Sequence, residues 1–253
     1  MVHLLPLPGS PRYGGSMAAV LEAARRDASA LVEGGADAVM LENFGDVPFY
    51  SSETPRITAS GVTAAAISVR EVLAGRVAFG VNVLRNDART ALAVGAVTGA
   101  DFLRVNVLCG ARVTDQGVIE GEAATLLRER QLFHVEQLQI WADVDVKHSA
   151  PLAPRPIAEE VADTVRRGLA DTLIVSGGGT GLPTDPAKVK AVRKAAGSHV
   201  PILVGSGVDP ESAPELLRHA SGLIAGTWLK EDGDVARPVD PKRVRRLAEV
   251  VAG

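Results

Sequence analysis

The most constraining feature of this sequence is an alternation of short apolar runs with longer amphipathic stretches, repeated eight times. A short apolar run predicts a buried strand, and an amphipathic stretch predicts a helix that covers it. Strand–helix repetition requires parallel strands joined by crossovers, and eight such units close naturally into a (β/α)8 TIM barrel. The length of 253 residues suits one such barrel, so we expect a single α/β domain over residues 1–253. An open doubly wound sheet is the structural alternative.

The predicted elements cover most of the chain. The strands are predicted at Val2–Leu5, Ala38–Leu41, Val77–Val81, Phe102–Val107, Gln139–Val146, Thr172–Val175, Ile202–Val204 and Gly222–Ile224. The helices are predicted near Met17–Glu33, Ala59–Leu73, Ala88–Thr98, Ala123–His134, Ile157–Arg167, Pro186–Ala195, Pro210–His219 and Pro241–Val251. Two longer loops, Asn43–Ile57 and Cys109–Glu122, follow strands, where loops usually cover an active site or serve as surface or oligomer contacts. In the second loop, Asp115–Gly117 predicts a hairpin turn between Ala111–Thr114 and Val118–Glu120.

Composition excludes several classes of protein. The net charge is −3 without a clustered basic patch, which argues against a nucleic-acid partner. No apolar run approaches the roughly 20 residues of a membrane span, and the N-terminus does not resemble a signal peptide. Cys109 is the only cysteine, so an internal disulfide is impossible. We therefore expect a cytoplasmic protein without integral membrane contact. A homo-oligomer is a separate expectation.

The fifth predicted strand carries the most informative polar residues. Strict alternation along residues 142–147 places Asp143, Asp145 and Lys147 on one face, and the apolar opposite face suits packing against helices. The charged face is thus expected inside the barrel, where a carboxylate pair should raise one pKa and permit general acid work. A buried ion-pair network that merely fills the barrel is the alternative, with Arg104 neutralising Asp143.

Other strand ends complete a polar half-ring. Glu42 is a further candidate for catalysis beside Asp143, Asp145 and Lys147. The candidates for substrate binding are His3, Asn43, Asn82, Arg104, Asn106 and His148. Cys109 is a weak candidate nucleophile, because no histidine partner is evident. No HxH or CxxC spacing indicates zinc, so no cofactor is predicted, although Glu42, Asp145 and His148 could hold a divalent ion.

The last three strand ends are rich in glycine, which lets backbone N–H groups approach an anion closely. Barrels frequently bind phosphate with the loops after strands seven and eight. A phosphorylated small molecule is therefore the expected ligand, unless these glycines only serve tight turns. The candidate phosphate-binding residues are Ser176, Gly177, Gly178, Thr180, Gly205, Ser206, Gly207, Gly226 and Thr227.

Motifs at these same positions carry a family resemblance over nearly the whole chain. They lie at Met1–Pro11, Leu41–Phe49, Asn82–Asp87, Arg104–Val107, Thr114–Gly121, Asp143–His148, Val175–Gly177 with Thr180-Gly181, Val204–Val208 and Gly226–Lys230. In these motifs the chain resembles the BtpA/SgcQ family, which is similar to ribulose-phosphate-binding barrels. Some members are linked to photosystem I biogenesis, and others are described as nucleosidases. Members usually carry residues ahead of the position of Met1, so we expect either an upstream start or a barrel that closes on a short first strand.

Three hypotheses about function follow. The first is an enzyme that cleaves or transfers at a glycosidic carbon of a phosphorylated sugar or nucleotide, with Asp145 or Glu42 as general acid or base. The other carboxylate would stabilise oxocarbenium-like charge or bind ribose hydroxyls with Asn82 and Asn106. The second is an aldolase-type lyase with a Schiff base on Lys147. The third is a non-catalytic assembly or metabolite-sensing factor.

Overall fold

The computed structural model describes residues 1–179 and 181–252, and its centre is one curled sheet of eight parallel strands. The eleven strands of these described residues are β1 (Val2–His3), β2 (Ala38–Glu42), β3 (Ala78–Asn82), β4 (Phe102–Val105), β5 (Ala111–Thr114), β6 (Gly117–Glu120), β7 (Gln139–Val144), β8 (Ser149–Pro151), β9 (Thr172–Ser176), β10 (Ile202–Gly205) and β11 (Gly222–Ile224). The central sheet runs in the order β1-β2-β3-β4-β7-β9-β10-β11. The predicted α/β barrel architecture is confirmed.

Helices between the strands cover the outside of the sheet. They are α1 (Met17–Glu33), α2 (Arg56–Leu73), α3 (Ala88–Thr98), α4 (Ala123–Leu132), α5 (Ile157–Ala162), α6 (Pro186–Ala196), α7 (Ala213–Leu217) and α8 (Pro241–Ala252). Alternate strand residues such as Val39, Leu41 and Val81 are fully buried in the layer between sheet and helices. This layer is the main hydrophobic core, and it holds the strand ends in place around the mouth of the barrel.

Side chains from the first and last strands meet inside the barrel. Met1, Met40 and Phe102 form one buried cluster, against which Trp141 and Ile224 pack. The phenyl ring of Phe102 stacks on the Trp141 indole at a centroid distance of 3.5 Å. The neighbouring strand carries a glycine at position 80, where a Cβ would lie 2.0 Å from the Phe102 ring. Since Met1 precedes β1 and Ile224 belongs to β11, this layer joins the two ends of the curled sheet.

Two predicted helices differ from the observed ones. The helix predicted at Pro210–His219 is the shorter α7, because the Asp209 carboxylate accepts a 2.7 Å hydrogen bond from the Ser212 N–H and forms a turn ahead of the helix. The helix predicted at Ile157–Arg167 continues past α5 as a π-helical turn over Asp163–Arg167. Neither change moves a residue at the strand ends.

A second, smaller sheet lies beside the mouth. The predicted hairpin is confirmed as β5 and β6, joined at the expected turn. A third strand, β8, pairs antiparallel with β5 and was not predicted, because its three residues carry no apolar alternation. Among the described residues, no helix combines the length and apolar character that crossing a bilayer requires.

Candidate functional site

The carboxyl ends of the strands surround a cavity of about 220 Å³. Its wall on one side consists of polar side chains, namely His3, Glu42, Arg104 and Lys147. Its wall on the other side includes the loops after β10 and β11, with Gly205, Ser206, Gly207, Gly226 and Thr227, and Gly181 and Pro183 from the loop after β9. The structure thus places some members of both predicted half-rings against one cavity.

The loop side presents bare backbone. Ser206 and Gly207 both adopt positive φ, at 70° and 61°. Within the described part of the chain, the N–H groups of Gly207, Val208 and Gly226 have no hydrogen-bond acceptor. Unpaired N–H groups that converge on a concave surface suit an oxyanion such as phosphate.

A buried threonine fixes this loop. The Thr184 hydroxyl donates a 2.7 Å hydrogen bond to the Gly205 carbonyl and a longer one of 3.4 Å to the Ser206 carbonyl. Both carbonyl oxygens are therefore occupied, which reduces the negative charge that an anion would meet. Sequence reasoning did not single out Thr184, and nothing in its local pattern distinguishes it from a loop residue.

Three other predicted phosphate ligands, Ser176, Gly177 and Gly178, do not line the cavity. Ser176 is fully buried, and its hydroxyl accepts a hydrogen bond from the Lys147 N–H. Gly177 packs against the backbone of Leu182 and Pro183, where its missing side chain makes room. Gly178 is exposed. Thr180 lies outside the described residues. From the loop after β9, the cavity is lined instead by Gly181 and Pro183.

Glu42 is the carboxylate on the polar side of the cavity. The Asn82 side chain donates a 2.6 Å hydrogen bond to Glu42 Oε2, and an Arg104 nitrogen lies 3.8 Å from the same oxygen. His3 Nε2 is 3.9 Å from Oε1. Because the parallel register pairs residue 42 with residues 3 and 82, neighbouring strands deliver these groups to one level of the barrel. Asn82 is a positioning residue here rather than part of the cavity wall.

A second carboxylate residue, Asp209, lies on the loop side of the cavity. Its Oδ1 atom accepts hydrogen bonds of 2.7 Å from the Ser212 N–H and 2.8 Å from the Ser212 hydroxyl. These bonds tie the carboxylate to the turn that precedes α7. Glu42 and Asp209 are therefore both held by hydrogen bonds, one on each side of the cavity.

His3 occupies the boundary between the two half-rings. Its ring stacks on Phe44 at 4.5 Å, and a Cβ at position 226 would lie 3.0 Å from His3 Cε1. Burial, followed by the positive charges around it, holds the pKa of His3 well below its usual value. The Nδ1 atom is buried without a hydrogen-bond partner among the described residues. A neutral imidazole therefore separates Glu42 from the glycine loops.

Asp143 lies deeper than the cavity, in a buried ion pair. Its carboxylate accepts two 2.8 Å hydrogen bonds from Arg104 and one of 3.0 Å from the Asn106 amide. The Asn106 Oδ1 atom is buried and has no partner in the described chain. This geometry matches the alternative in which Arg104 neutralises Asp143, and it keeps Asp143 and Asn106 away from direct contact with a ligand in the cavity.

The prediction that Asp145 shares the inward face of Asp143 and Lys147 is wrong. The strand β7 ends at Val144, and Asp145 takes a left-handed φ of 50°, which breaks the alternation. Its carboxylate pairs with Arg112 at 2.5 Å and with Lys188 at 2.8 Å. Burial opposes ionisation, but these two cations outweigh it and lower the pKa of Asp145. The expected pairing of Asp145 with Asp143 is therefore replaced by separate ion pairs.

Lys147 reaches the cavity wall, and His148 does not. Burial is the main reason that the pKa of Lys147 is lowered. His148 has a positive φ of 55° and is exposed beside Gly179. Within the described residues, no group of three or more His, Cys, Asp or Glu side chains is arranged to hold a metal ion, so Glu42, Asp145 and His148 are not brought together.

Asn43 has a structural role between two loops. Its side chain accepts a 2.7 Å hydrogen bond from the Leu84 N–H and donates one of 3.1 Å to Asp46. It does not line the cavity, which corrects its assignment to substrate binding. Cys109 is half-buried behind the hairpin, and burial raises the pKa of its thiol, which weakens it further as a nucleophile.

Two buried arginines were missed. Arg112 of β5 contacts Asp145, Ser149 and Glu160 and so fastens the small sheet to the barrel. Arg85 follows β3, is 5% exposed and donates a 2.6 Å hydrogen bond to the Lys147 carbonyl. The only available signal was their place in loops that follow strands, which does not reveal burial.

Comparison with known proteins places this site in context. The model of the BtpA family matches residues 1–253. The photosystem I biogenesis protein BtpA of Synechocystis is 42% identical over 252 residues, which cover 100% of this chain and 86% of that protein. An uncharacterized protein of Thermococcus kodakarensis is 45% identical over 252 residues, with 99% of this chain and 93% of that protein covered.

Solved structures share the fold at low identity. The thiamine phosphate pyrophosphorylase of Pyrococcus furiosus has a TM-score of 0.59 and 16% identity, covering 92% of this chain and 89% of that chain. The N-(5'-phosphoribosyl)anthranilate isomerase of Pyrococcus furiosus has a TM-score of 0.56 and 14% identity, covering 89% of this chain and 92% of that chain. At these identities the likeness establishes the fold alone.

Proposed function

We propose that this chain, which belongs to the BtpA family over residues 1–253, is an enzyme acting on a phosphorylated sugar or nucleotide. The observation that carries this proposal is that one cavity is lined by the glycine-rich loops after β10 and β11 and by the Glu42 carboxylate. The phosphate group would bind the N–H groups of Gly207, Val208 and Gly226. The names of the structural neighbours, one with a thiamine phosphate and one with a phosphoribosyl compound, support a phosphorylated ligand.

The reaction proposed is cleavage or transfer at a glycosidic carbon. Glu42 is the proposed essential carboxylate, because the Asp145 carboxylate forms ion pairs with Arg112 and Lys188. Its charge would stabilise an oxocarbenium-like transition state, or it would accept a proton from the attacking water. Asn82 holds the Glu42 carboxylate in place, and Lys147 binds an anionic group of the ligand.

The test is turnover of a panel of nucleosides, nucleotides and ribose phosphates by the purified protein and by its Glu42→Gln variant. We expect cleavage of a phosphorylated member, and a loss of about 10²- to 10⁴-fold in the variant with binding of the phosphorylated ligand retained. Glu136→Gln is the matched control, since Glu136 is exposed and has no ion pair within the described chain. The proposal would be wrong if the protein neither turned over nor bound any phosphorylated compound.

A Schiff-base lyase is the second candidate. It is favoured by one observation, the half-buried position of Lys147 in the cavity wall, where desolvation is the main cause of its lowered pKa. A lysine that loses its proton more easily is a better nucleophile towards a carbonyl group. Borohydride reduction in the presence of phosphorylated aldehydes and ketones should add mass at Lys147, and an unmodified Lys147 would count against this route.

A non-catalytic role in assembly or metabolite sensing rests on the name of the Synechocystis relative. The charged barrel interior favours an enzyme, because a scaffold gains nothing from burying charges. Replacement of Glu42 by Gln in cells distinguishes an enzyme from a non-catalytic scaffold. A scaffold should tolerate this change and an enzyme should not.

A further inference from the structure

We propose that Arg85 and Lys147 form a second anion-binding subsite, so that the ligand carries a phosphate at one end and another anionic group, such as a carboxylate, at the other. This inference rests on the proposed function, since the first anion is the phosphate held by the loops after β10 and β11. It concerns the opposite side of the mouth, where β3 and β7 end.

The first support is the state of Arg85. The residue is 5% exposed, and among the described residues the one hydrogen bond of its guanidinium is the 2.6 Å contact with the Lys147 carbonyl. No carboxylate forms an ion pair with it in the described part of the chain. Burying a cation without a counter-ion is costly. The other buried arginines of the mouth, Arg104 and Arg112, each have carboxylate partners.

The second support is the balance of charge around it. The side chains of Arg85, Arg104 and Lys147 place three cations near the carboxylates of Glu42 and Asp143. Asp143 is already committed to Arg104 through two 2.8 Å hydrogen bonds. Asp115 acts on Arg85 only from the exposed hairpin turn, where solvent screens it.

The third support is that Arg85 and Lys147 are tied together. The guanidinium of Arg85 donates its hydrogen bond to the backbone carbonyl of Lys147, and its positive charge disfavours the charged form of the Lys147 side chain. An anion between them would relieve this repulsion and supply the missing counter-ion. Arginine also offers several N–H donors in a planar fork, which suits a carboxylate.

The experiment compares probes that differ by one anionic group. 6-Phosphogluconate is compared with glucitol 6-phosphate, and 3-phosphoglycerate with glycerol 3-phosphate, by titration calorimetry at low salt. We expect the carboxylate to strengthen binding in at least one pair by about 10- to 100-fold, the usual worth of a hydrogen bond between charged groups. The two pairs differ in the distance between the phosphate and the carboxylate, so they test two different separations of the two subsites.

Variants assign the effect to Arg85. Arg85→Gln should remove the preference for the carboxylate and leave the binding of the alditol phosphates within about threefold. Arg85→Lys should restore part of the preference for the carboxylate. Arg128→Gln, which changes an exposed arginine of α4, should leave that preference intact. The preference is a ratio measured on one preparation, so a partly unfolded variant does not distort it.

The outcomes separate the two proposals. Equal binding within both pairs by the unmodified protein, or an undiminished preference in Arg85→Gln, would overturn the second subsite and leave the phosphate-anchored function standing. Failure of all four probes to bind would overturn the second subsite, whereas the proposed function would be overturned only if no nucleotide or ribose phosphate of the panel bound or turned over either.

Discussion

The Asn82 side chain donates a 2.6 Å hydrogen bond to Oε2 of Glu42, and this bond fixes the carboxylate on the polar side of the cavity. Both residues are buried and lie side by side in the register of β2 and β3. We expect Asn82→Ala to destabilise the protein by about 1–3 kcal/mol, because the buried carboxylate loses its donor. Urea denaturation measures the change, and a stability equal to that of the unmodified protein would show that Glu42 does not depend on Asn82.

A second prediction concerns the loop after β10. At Gly207 the φ angle is 61°, and a Cβ would lie 2.6 Å from the backbone of Leu182 and Pro183. Gly207→Ala should therefore lower the thermal midpoint and weaken phosphate binding. Gly178→Ala is the matched control, since a Cβ there meets nothing within 4 Å. Calorimetry with ribose 5-phosphate measures binding, and equal affinity in both variants would contradict a cradle at Gly207.

A third prediction uses the displaced Asp145. Its pKa is lowered, so the ion pairs with Lys188 and Arg112 stabilise the fold fully above the unfolded pKa of about 3.9. That stabilisation is lost as the pH falls through the lower folded pKa. Asp145→Asn should cost about 1 kcal/mol at pH 7, a modest amount because the carboxylate is partly exposed to solvent. Urea titrations at several pH values should show the difference shrinking in acid, and a difference that grows in acid would refute the sign.

A fourth prediction follows from the neutral His3. Its folded pKa is lowered below the usual 6.5, so the folded state resists protonation while the unfolded chain does not. Stability should fall as the pH drops below about 6.5, and His3→Gln should lose less over the same range. Proton NMR of the His3 ring, assigned by its loss in the variant, should show no titration between about pH 8 and 6.5. A midpoint near 6.5 would mean that the ring is not held neutral.

Much of this protein could be predicted from local patterns. Apolar runs and helical periodicity depend on neighbouring residues, so the eight strands, most helix limits and the hairpin turn followed from them. The glycine loops and Glu42 lie where parallel strands end, which topology dictates once the barrel is assumed. Sequence reasoning failed at Asp145, because alternation holds only while the strand continues, and β7 ends one residue earlier.

By itself, the sequence determined the order of the elements, the parallel sheet and the end of the barrel at which polar residues gather, because these depend on hydrophobic period and chain order. Only the tertiary structure decided which carboxylate of the polar half-ring faces the cavity, because Asp143 and Asp145 find their cationic partners on distant segments. It also revealed Arg85, buried beside the Lys147 carbonyl without an ion pair in the described chain. Strand alternation offered the Arg104–Asp143 pair as one alternative, but the partners of Asp145 and Arg85 are brought together by packing, and no local pattern encodes those contacts.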